Sequence, residues 1–129
     1  MTPEEAIVSL LIGDTTINTM ISARMYPLVV PQDAIRPAIA YQVISNVPSY
    51  AQTGPAGHSR ERIQLTLEGN TYAQARSLAR EVRRKLGGYR GVVSDLTIGS
   101  IQIENDVDGY SETVRVPVVR MDALMQHNG

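Results

Sequence analysis

The segment from Gly57 to Glu61, GHSRE, is the part of the chain that comes nearest to a catalytic motif. A serine nucleophile elbow has the pattern G-x-S-x-G and lies on a sharp turn between a strand and a helix. Here Glu61 occupies the position of the second glycine, and no tight helix follows. The segment therefore does not predict a serine nucleophile.

The other groups that could bind a metal or a phosphate are scattered along the chain. There are two histidines, His58 and His127, and no cysteine, so a thiolate zinc site, a disulfide and a cysteine nucleophile are excluded. The DVDG segment at Asp106 lacks the ordered ligands and the closing glutamate of a calcium loop. The GPAG segment at Gly54 lacks the Gly-Lys-Ser/Thr sequel of a phosphate loop. We therefore expect no enzyme activity, no metal site and no cofactor.

Charged side chains form two groups of opposite sign. Basic residues are concentrated between positions 76 and 90, and carboxylates dominate the last third of the chain. Such patches suit contacts between copies of a protein, because complementary charge sets register and partner choice. We predict an inter-subunit basic face at Arg76, Arg80, Arg83 and Arg84, and an inter-subunit acidic hairpin at Glu104, Asp106 and Asp108. Simple solvation and pairing within one chain remain the alternatives.

A phosphate-binding surface is a further interpretation of the arginine-rich segment. The formal net charge of −1 argues against a dedicated nucleic-acid binder, since such domains carry a marked basic excess. Tryptophan and phenylalanine are absent, and only Tyr72 and Tyr89 flank the arginines, so there is no stacking platform. A small nucleic-acid-binding module is therefore the less favoured function.

Three helices are predicted to position these groups. The segment TPEEAIVSLL has a capping box between Thr2 and Glu5, and Asp14 or Thr15 can cap a second short helix. The segment YAQARSLAREVRRKLGG begins after Asn70 and Thr71 and ends at a double glycine. Its apolar residues fall on one narrow stripe, formed by Ala75, Leu78, Ala79, Val82 and Leu86.

Alternation of apolar and polar residues predicts the strands. Two strands, near Ile39 to Val43 and Ile63 to Leu67, have their odd-numbered residues directed to the core. The last third predicts a hairpin with a register slip at Gly99-Ser100, a turn at Asp108-Gly109, and an edge position for Pro117.

These elements predict an α+β fold. We expect a mainly antiparallel sheet of about four strands, with two short N-terminal helices and one long helix packed on one face. Residues 1–120 should form a single domain and residues 121–129 a flexible C-terminal tail. The acidic N-terminus has no basic leader, and no apolar run could span a bilayer, so we expect a soluble chain without a signal peptide.

The order of these features resembles the tail-completion, or tail-terminator, proteins of tailed bacteriophages, a family long catalogued as a domain of unknown function. Two segments carry the resemblance, RMYPLVVPQDAIRPAIAYQVIS from Arg24 and GNTYAQARSLAREVRRKLGGYRG from Gly69. The similarity covers the chain from about Glu5 to Val119. The acidic hairpin and the residues after Met121 depart from the pattern.

The resemblance implies a structural protein that forms a six-membered ring on the head-proximal end of the tail tube. Such a ring stops tube polymerisation and provides a docking surface for the head connector. The implied partners are further copies of the chain, the tube protein and the connector, with no membrane and no specific nucleic acid. Assembly would occur in the bacterial cytoplasm, and the mature protein would lie at the virion neck. Another neck role, in head closure or connector completion, is the alternative.

A long glycine- and proline-containing loop separates the first two predicted strands. Loops of this length are usually functional or disordered. The nine residues from Tyr50 to His58 can extend about 15 Å outwards and return, at roughly 3.3 Å per residue. We hypothesise that it orders against the tail tube or the connector. The predicted contact residues are Tyr50, Gln52, Thr53, Gly54, Pro55, Gly57 and His58.

Overall fold

The computed structural model describes residues 1–48 and 59–127, with only the backbone described for residues 46–48. Three helices lie within the described residues: α1 (Pro3–Ile12), α2 (Thr15–Ile21) and α3 (Tyr72–Leu86). The same residues contain six strands: β1 (Met25–Pro27), β2 (Ala38–Pro48), β3 (Ser59–Glu68), β4 (Gly91–Val93), β5 (Leu96–Ser111) and β6 (Val116–His127).

The strands form one mixed sheet in the order β1-β2-β3-β6-β5-β4. The β1 and β2 strands are parallel, and the other neighbouring pairs are antiparallel. The predicted α+β class is confirmed, but the number of strands is six where the sequence predicted about four. The additional strands, β1 and β4, have three residues each, which is too short for an alternating pattern to be recognised.

The helix starts follow the predicted capping residues. Thr2 and Glu5 form the capping box of α1, and the side chains of Asp14 and Thr71 accept hydrogen bonds from the first turns of α2 and α3. These acceptors satisfy backbone N–H groups that have no partner within a helix. The long helix ends at Gly87, and Gly88 takes the left-handed conformation with φ of +79°.

One hydrophobic core joins the three helices to one face of the sheet. The predicted stripe of α3 is buried, and α3 packs against β3, β5 and β6. The same core contains Ile7 of α1, Ile17 of α2, and Ile63, Leu65 and Leu67 of β3. The predicted core-facing set of β3 is therefore correct, and the helices cover this face.

The β2 strand departs from its predicted pattern. Ile39 is in the core, but Val43 is exposed, and a bulge after Val43 shifts the register with β3. Ala38 and Ala40, which point to the opposite face, are buried with Val30 in a second, smaller cluster. The segment between β1 and β2 thus covers the far face of the sheet at this end, and simple alternation does not reveal this.

The β5–β6 hairpin is longer than predicted. The register slip at Gly99 is confirmed, and a second irregularity occurs between Ile103 and Asn105. The predicted turn at Asp108-Gly109 is wrong, because both residues continue β5 and the turn lies at residues 112–115. At Gly109, a Cβ would lie 2.6 Å from a guanidinium nitrogen of Arg120 and 3.2 Å from a methyl carbon of Val118, so a larger residue would require these side chains to shift.

The position of β6 corrects two further predictions. It lies between β3 and β5, so Pro117 is not on an edge strand. The Pro117 carbonyl accepts from the Gly69 N–H, which puts the proline nitrogen on the side where β3 has just ended. The predicted tail from Met121 is wrong as far as His127, because these residues pair with β3 and β5. Asn128 and Gly129 lie outside the described residues.

Candidate assembly surfaces

The predicted basic face and acidic hairpin meet within one chain. Arg76 Nη1 lies 3.1 Å from Asp108 Oδ1 and 3.7 Å from Asp106 Oδ1, and Arg83 Nη2 lies 2.9 Å from Asp106 Oδ2. Tyr72 also donates its hydroxyl to Asp108 Oδ2 at 2.9 Å. This is the pairing within one chain that the sequence left open.

The electrostatics of this cluster follow from its contacts. The Arg83 hydrogen bond lowers the pKa of the Asp106 carboxyl, and the nearby charge of Arg76 acts in the same direction. Asp108 raises the pKa of Tyr72, because its carboxylate holds the phenolic proton. An inter-subunit role for these side chains stays a prediction.

The other predicted charged residues have different surroundings. Arg84 donates to both carboxylate oxygens of Asp14, at 3.0 and 3.1 Å, and to Glu81 at 2.7 Å, so it joins α3 to the start of α2. Glu104 pairs with Arg62 at 3.1 Å. Among the described residues, Arg80 is in contact with the Ser77 hydroxyl at 3.5 Å and with no carboxylate.

The predicted contact loop lies outside the described residues, from Tyr50 to His58. The strands that lead to it are described, and their pairing continues to Pro48 and Ser59. Val43 and Ile44 are both exposed in β2, where Ile44 is the extra residue of the bulge. The β2 side of this part of the hairpin is therefore open to solvent, whereas Ile63, the partner of Val43 in β3, is buried.

Two buried titratable groups near the base of this hairpin were missed by sequence reasoning. Glu61 and His127 are 4% and 3% exposed, and the β3–β6 register puts both on the core-facing side. Burial raises the pKa of Glu61 and lowers that of His127, and the charge of Glu4 acts on both. Glu61 is an odd-numbered residue of β3, like the core-facing Ile63 and Leu65. The alternating pattern therefore already predicted that its carboxyl points towards the core.

Sequence reasoning also missed a surface formed by the segment between β1 and β2. Arg36 is buried, and its Nε donates to Glu68 at 2.9 Å. Its terminal nitrogens donate to the backbone carbonyls of Pro31, Gln32 and Ala34. The segment is therefore fixed from inside, while it exposes large apolar side chains at Leu28, Val29 and Ile35.

The described residues offer no other chemistry of note. They contain no group of three or more acidic or histidine side chains placed to hold a metal ion. In the part of the chain that is described, no helix has the length and apolar character needed to cross a membrane.

Comparison with solved structures identifies a chain of similar fold. A chain in the structure described as "Virion of native gene transfer agent (GTA) particle" aligns with a TM-score of 0.78 and 14% sequence identity. The alignment covers 98% of this chain and 95% of that chain. At this identity the likeness shows the fold alone. No curated protein matches the sequence.

Comparison with protein families gives a match over almost the whole chain. Residues 5–126 match the family described as "Tail completion protein gp17". The match includes β1 to β5, α2 and α3, all of β6 but its last residue, and most of α1. It confirms the resemblance found in the sequence: the chain belongs to the tail completion protein gp17 family, a family of bacteriophage tail structural proteins.

Proposed function

We propose that this protein caps the head-proximal end of the tail tube as a ring, stops tube polymerisation and provides the docking surface for the head connector. Six copies would form the ring. The family match over residues 5–126 carries the proposal, because tail completion is a role in virion assembly. The likeness in fold to a chain of a gene transfer agent particle supports it.

The shape of the chain is compatible with such a role. A ring requires a heterologous interface, in which one patch of each copy meets a different patch of the next. The two edge strands of this sheet, β1 and β4, differ in sequence and in pairing, so opposite ends of the chain present different surfaces. The partners in this proposal are further copies of the chain, the tube protein and the connector.

The proposed function includes a contact made by the loop from Tyr50 to His58. It joins the ends of a hairpin whose described residues Val43 and Ile44 are exposed. We assign to it the contact with the tail tube or the connector. The protein would assemble in the bacterial cytoplasm and remain at the neck of the mature virion.

The experiment that tests this function is electron microscopy of lysates from the source phage with this gene disrupted. Tail length and head attachment are scored, and a plasmid copy of the intact gene serves as the control. Overlong tubes without heads are the expected result. Tails of normal length that fail to join heads would assign the protein to head closure or connector completion. Intact virions would contradict both roles.

A further inference from the structure

The segment between β1 and β2 has an unusual surface for a part of the chain that is so firmly held. We name residues 28–36 the β1–β2 loop. Its side chains of Leu28, Val29 and Ile35 are 69%, 67% and 69% exposed. Single exposed apolar residues are common, but three in nine residues form a candidate contact surface.

Internal contacts keep this loop in one conformation. The buried Arg36 guanidinium bonds to Glu68 and to three carbonyl groups of the loop. Asn70 donates to the Arg36 carbonyl at 3.0 Å, and the Leu28 N–H donates to the Tyr41 carbonyl at 2.8 Å. The apolar side chains are therefore presented by a fixed backbone, which reduces the entropy lost on binding.

The backbone of Leu28 is strained as well as exposed. Its φ is +72°, a region that is unfavourable for a bulky L-residue. Residues in such conformations occur where the surrounding structure imposes them, and they are concentrated at functional sites. Here the strained conformation leaves most of an apolar side chain exposed to solvent.

The opposite end of the sheet has a surface that could receive this loop. The strand β4 forms that edge, pairs with β5 alone among the described strands, and has only three residues. Its central residue, Val92, is 64% exposed. Arg90 lies two residues before Val92 and is exposed, and the β1–β2 loop carries the exposed Asp33.

Charge distinguishes these two ends from the arginine-rich helix. Arg76, Arg83 and Arg84 already have carboxylate partners within the chain. Within residues 1–48 and 59–127, Asp33 has no ion pair with a basic side chain, and Arg90 has none with a carboxylate. One surface therefore combines apolar groups with an unpaired acid, and the other combines an apolar group with an unpaired base. Such charges across an interface set register and orientation.

We propose that the β1–β2 loop of one copy packs against the β4 edge of the next copy, with Asp33 facing Arg90. The two surfaces lie at opposite edges of one sheet, so the contact is heterologous and repeats from copy to copy. The inference rests on the proposed ring function and names the contact that closes the ring.

The absence of cysteine from the chain allows a direct test. Three double variants place one cysteine in the loop and one in β4: L28C/V92C, V29C/V92C and I35C/V92C. They are treated with a short bis-maleimide, both in solution and bound to tail tubes. At least one should give a denaturant-resistant ladder of cross-linked chains that ends at a closed ring. The single variants should give at most dimers.

The matched control is I35C/V107C, because Val107 is also exposed but lies on β5, away from the β4 edge. It should give no ladder. Charge reversal is an independent readout: D33R should lower the assembled fraction at least tenfold, and D33R/R90D should restore most of it.

The outcomes separate the contact from the function. Capped tubes with no ladder from any of the three loop positions would overturn the contact and leave the capping function standing. A ladder in solution from protein that does not bind tubes would support the contact and contradict the capping function. Absence of both capping and ladder would overturn both.

Discussion

Two of the four buried polar or charged side chains among the described residues hold a loop in place. Arg36 and Glu68 have side chains that are 7% and 8% exposed, and their contact at 2.9 Å links the β1–β2 loop to the end of β3. A buried ion pair is not in itself strongly stabilising, because both charges lose hydration. Removal of only one member of the pair is destabilising, because the other charge then stays buried without its partner.

The first prediction concerns this pair. Glu68→Ala should lower the free energy of unfolding by about 3 to 5 kcal/mol, because it leaves the Arg36 guanidinium buried without its carboxylate. The measurement is urea denaturation followed by circular dichroism. Glu104→Ala is the matched control, since Glu104 pairs with Arg62 at 3.1 Å in a partly exposed setting and should cost less than about 1 kcal/mol. Equal losses in both variants would contradict the assigned role of Glu68.

The second prediction concerns the pH dependence caused by Glu61. Burial raises its pKa above 4.5, so the folded state binds this proton more tightly than the unfolded state does. Its contribution to stability is present below pH 4.5 and is lost as the pH rises through the folded pKa. Glu61→Gln removes this loss and should stabilise the protein at pH 7.5 by about 1 kcal/mol or more.

The same substitution should have a smaller benefit at pH 4, below the ordinary carboxyl pKa of 4.5, where the folded and unfolded states differ less in the protons that Glu61 binds. His127 has the opposite sign, because its lowered pKa removes stability as the pH falls below 6.5. The comparison is therefore made between wild type and Glu61→Gln at each pH, which removes the part of the His127 effect that does not depend on Glu61. A gain that is the same at pH 4 and pH 7.5 would contradict the prediction.

At the scale of helices and strands, the accuracy of sequence reasoning depended on whether a local signal was decisive. The α3 stripe, the caps at Thr2, Asp14 and Thr71, and the inward face of β3 were predictable, because spacing and capping chemistry are local properties. The strands β1 and β4 were not, since three residues show no period and take their conformation from a neighbouring strand.

The β5–β6 hairpin shows how tertiary contacts override local turn chemistry. Asp108-Gly109 is a favoured turn pair, but Asp108 is held by Arg76 and Tyr72, and β5 continues to pair with β6 beyond it. The candidate surfaces were affected in the same way. The charged groups were identified from the sequence, but their pairing within one chain depends on contacts between α3 and β5.

The third prediction separates two roles of Asp14 in joining α2 to α3. Its carboxylate accepts from the Ile17 N–H at 3.1 Å and from Arg84. Both contacts lower its pKa, the backbone hydrogen bond more strongly. Asp14→Asn keeps a capping oxygen and should cost less than about 1 kcal/mol, while Asp14→Ala loses both contacts and should cost about 1 kcal/mol more.

Thermal or urea unfolding of the two Asp14 variants gives the comparison. A double-mutant cycle of Asp14→Asn, Arg84→Ala and the combined variant isolates the ion pair. The two substitutions should be non-additive if they remove the same interaction. Equal effects of Asn and Ala at position 14 would show that capping contributes nothing measurable. The prediction for the helix start would then be wrong.

At the scale of the whole molecule, the faces, edges and hairpin end of the sheet form separate surfaces. The three helices cover one face of the sheet, and the two sheet edges are different from each other. The β2–β3 hairpin, whose pairing continues to Pro48 and Ser59, leads to residues 49–58. Ring closure and contact with the tube or connector can therefore use separate parts of the chain, and each can be altered without the other.

The last prediction uses this separation. Deletion of Thr53 to Gly57 leaves five of the ten residues between Pro48 and Ser59, which are paired across β2 and β3. Paired strand residues have Cα atoms about 5 Å apart, and loops of five residues close many hairpins. The deletion should therefore change the free energy of unfolding by less than about 1 kcal/mol, because each halving of loop length changes closure entropy only slightly.

The same deletion should abolish the capping of tail tubes, because it removes the side chains assigned to the contact. Tube length after addition of the purified variant to polymerising tube protein is the measurement. Whichever of the three loop–Val92 cysteine pairs cross-links the intact chain then reports whether rings still form. Alanine substitutions at the exposed Glu112 and Thr113 in the β5–β6 turn are the control and should leave capping intact. Normal capping by the deletion variant would contradict the contact function assigned to this loop. Loss of capping while rings still form would assign the contact with the tube or connector to this loop and would separate it from the contact between copies.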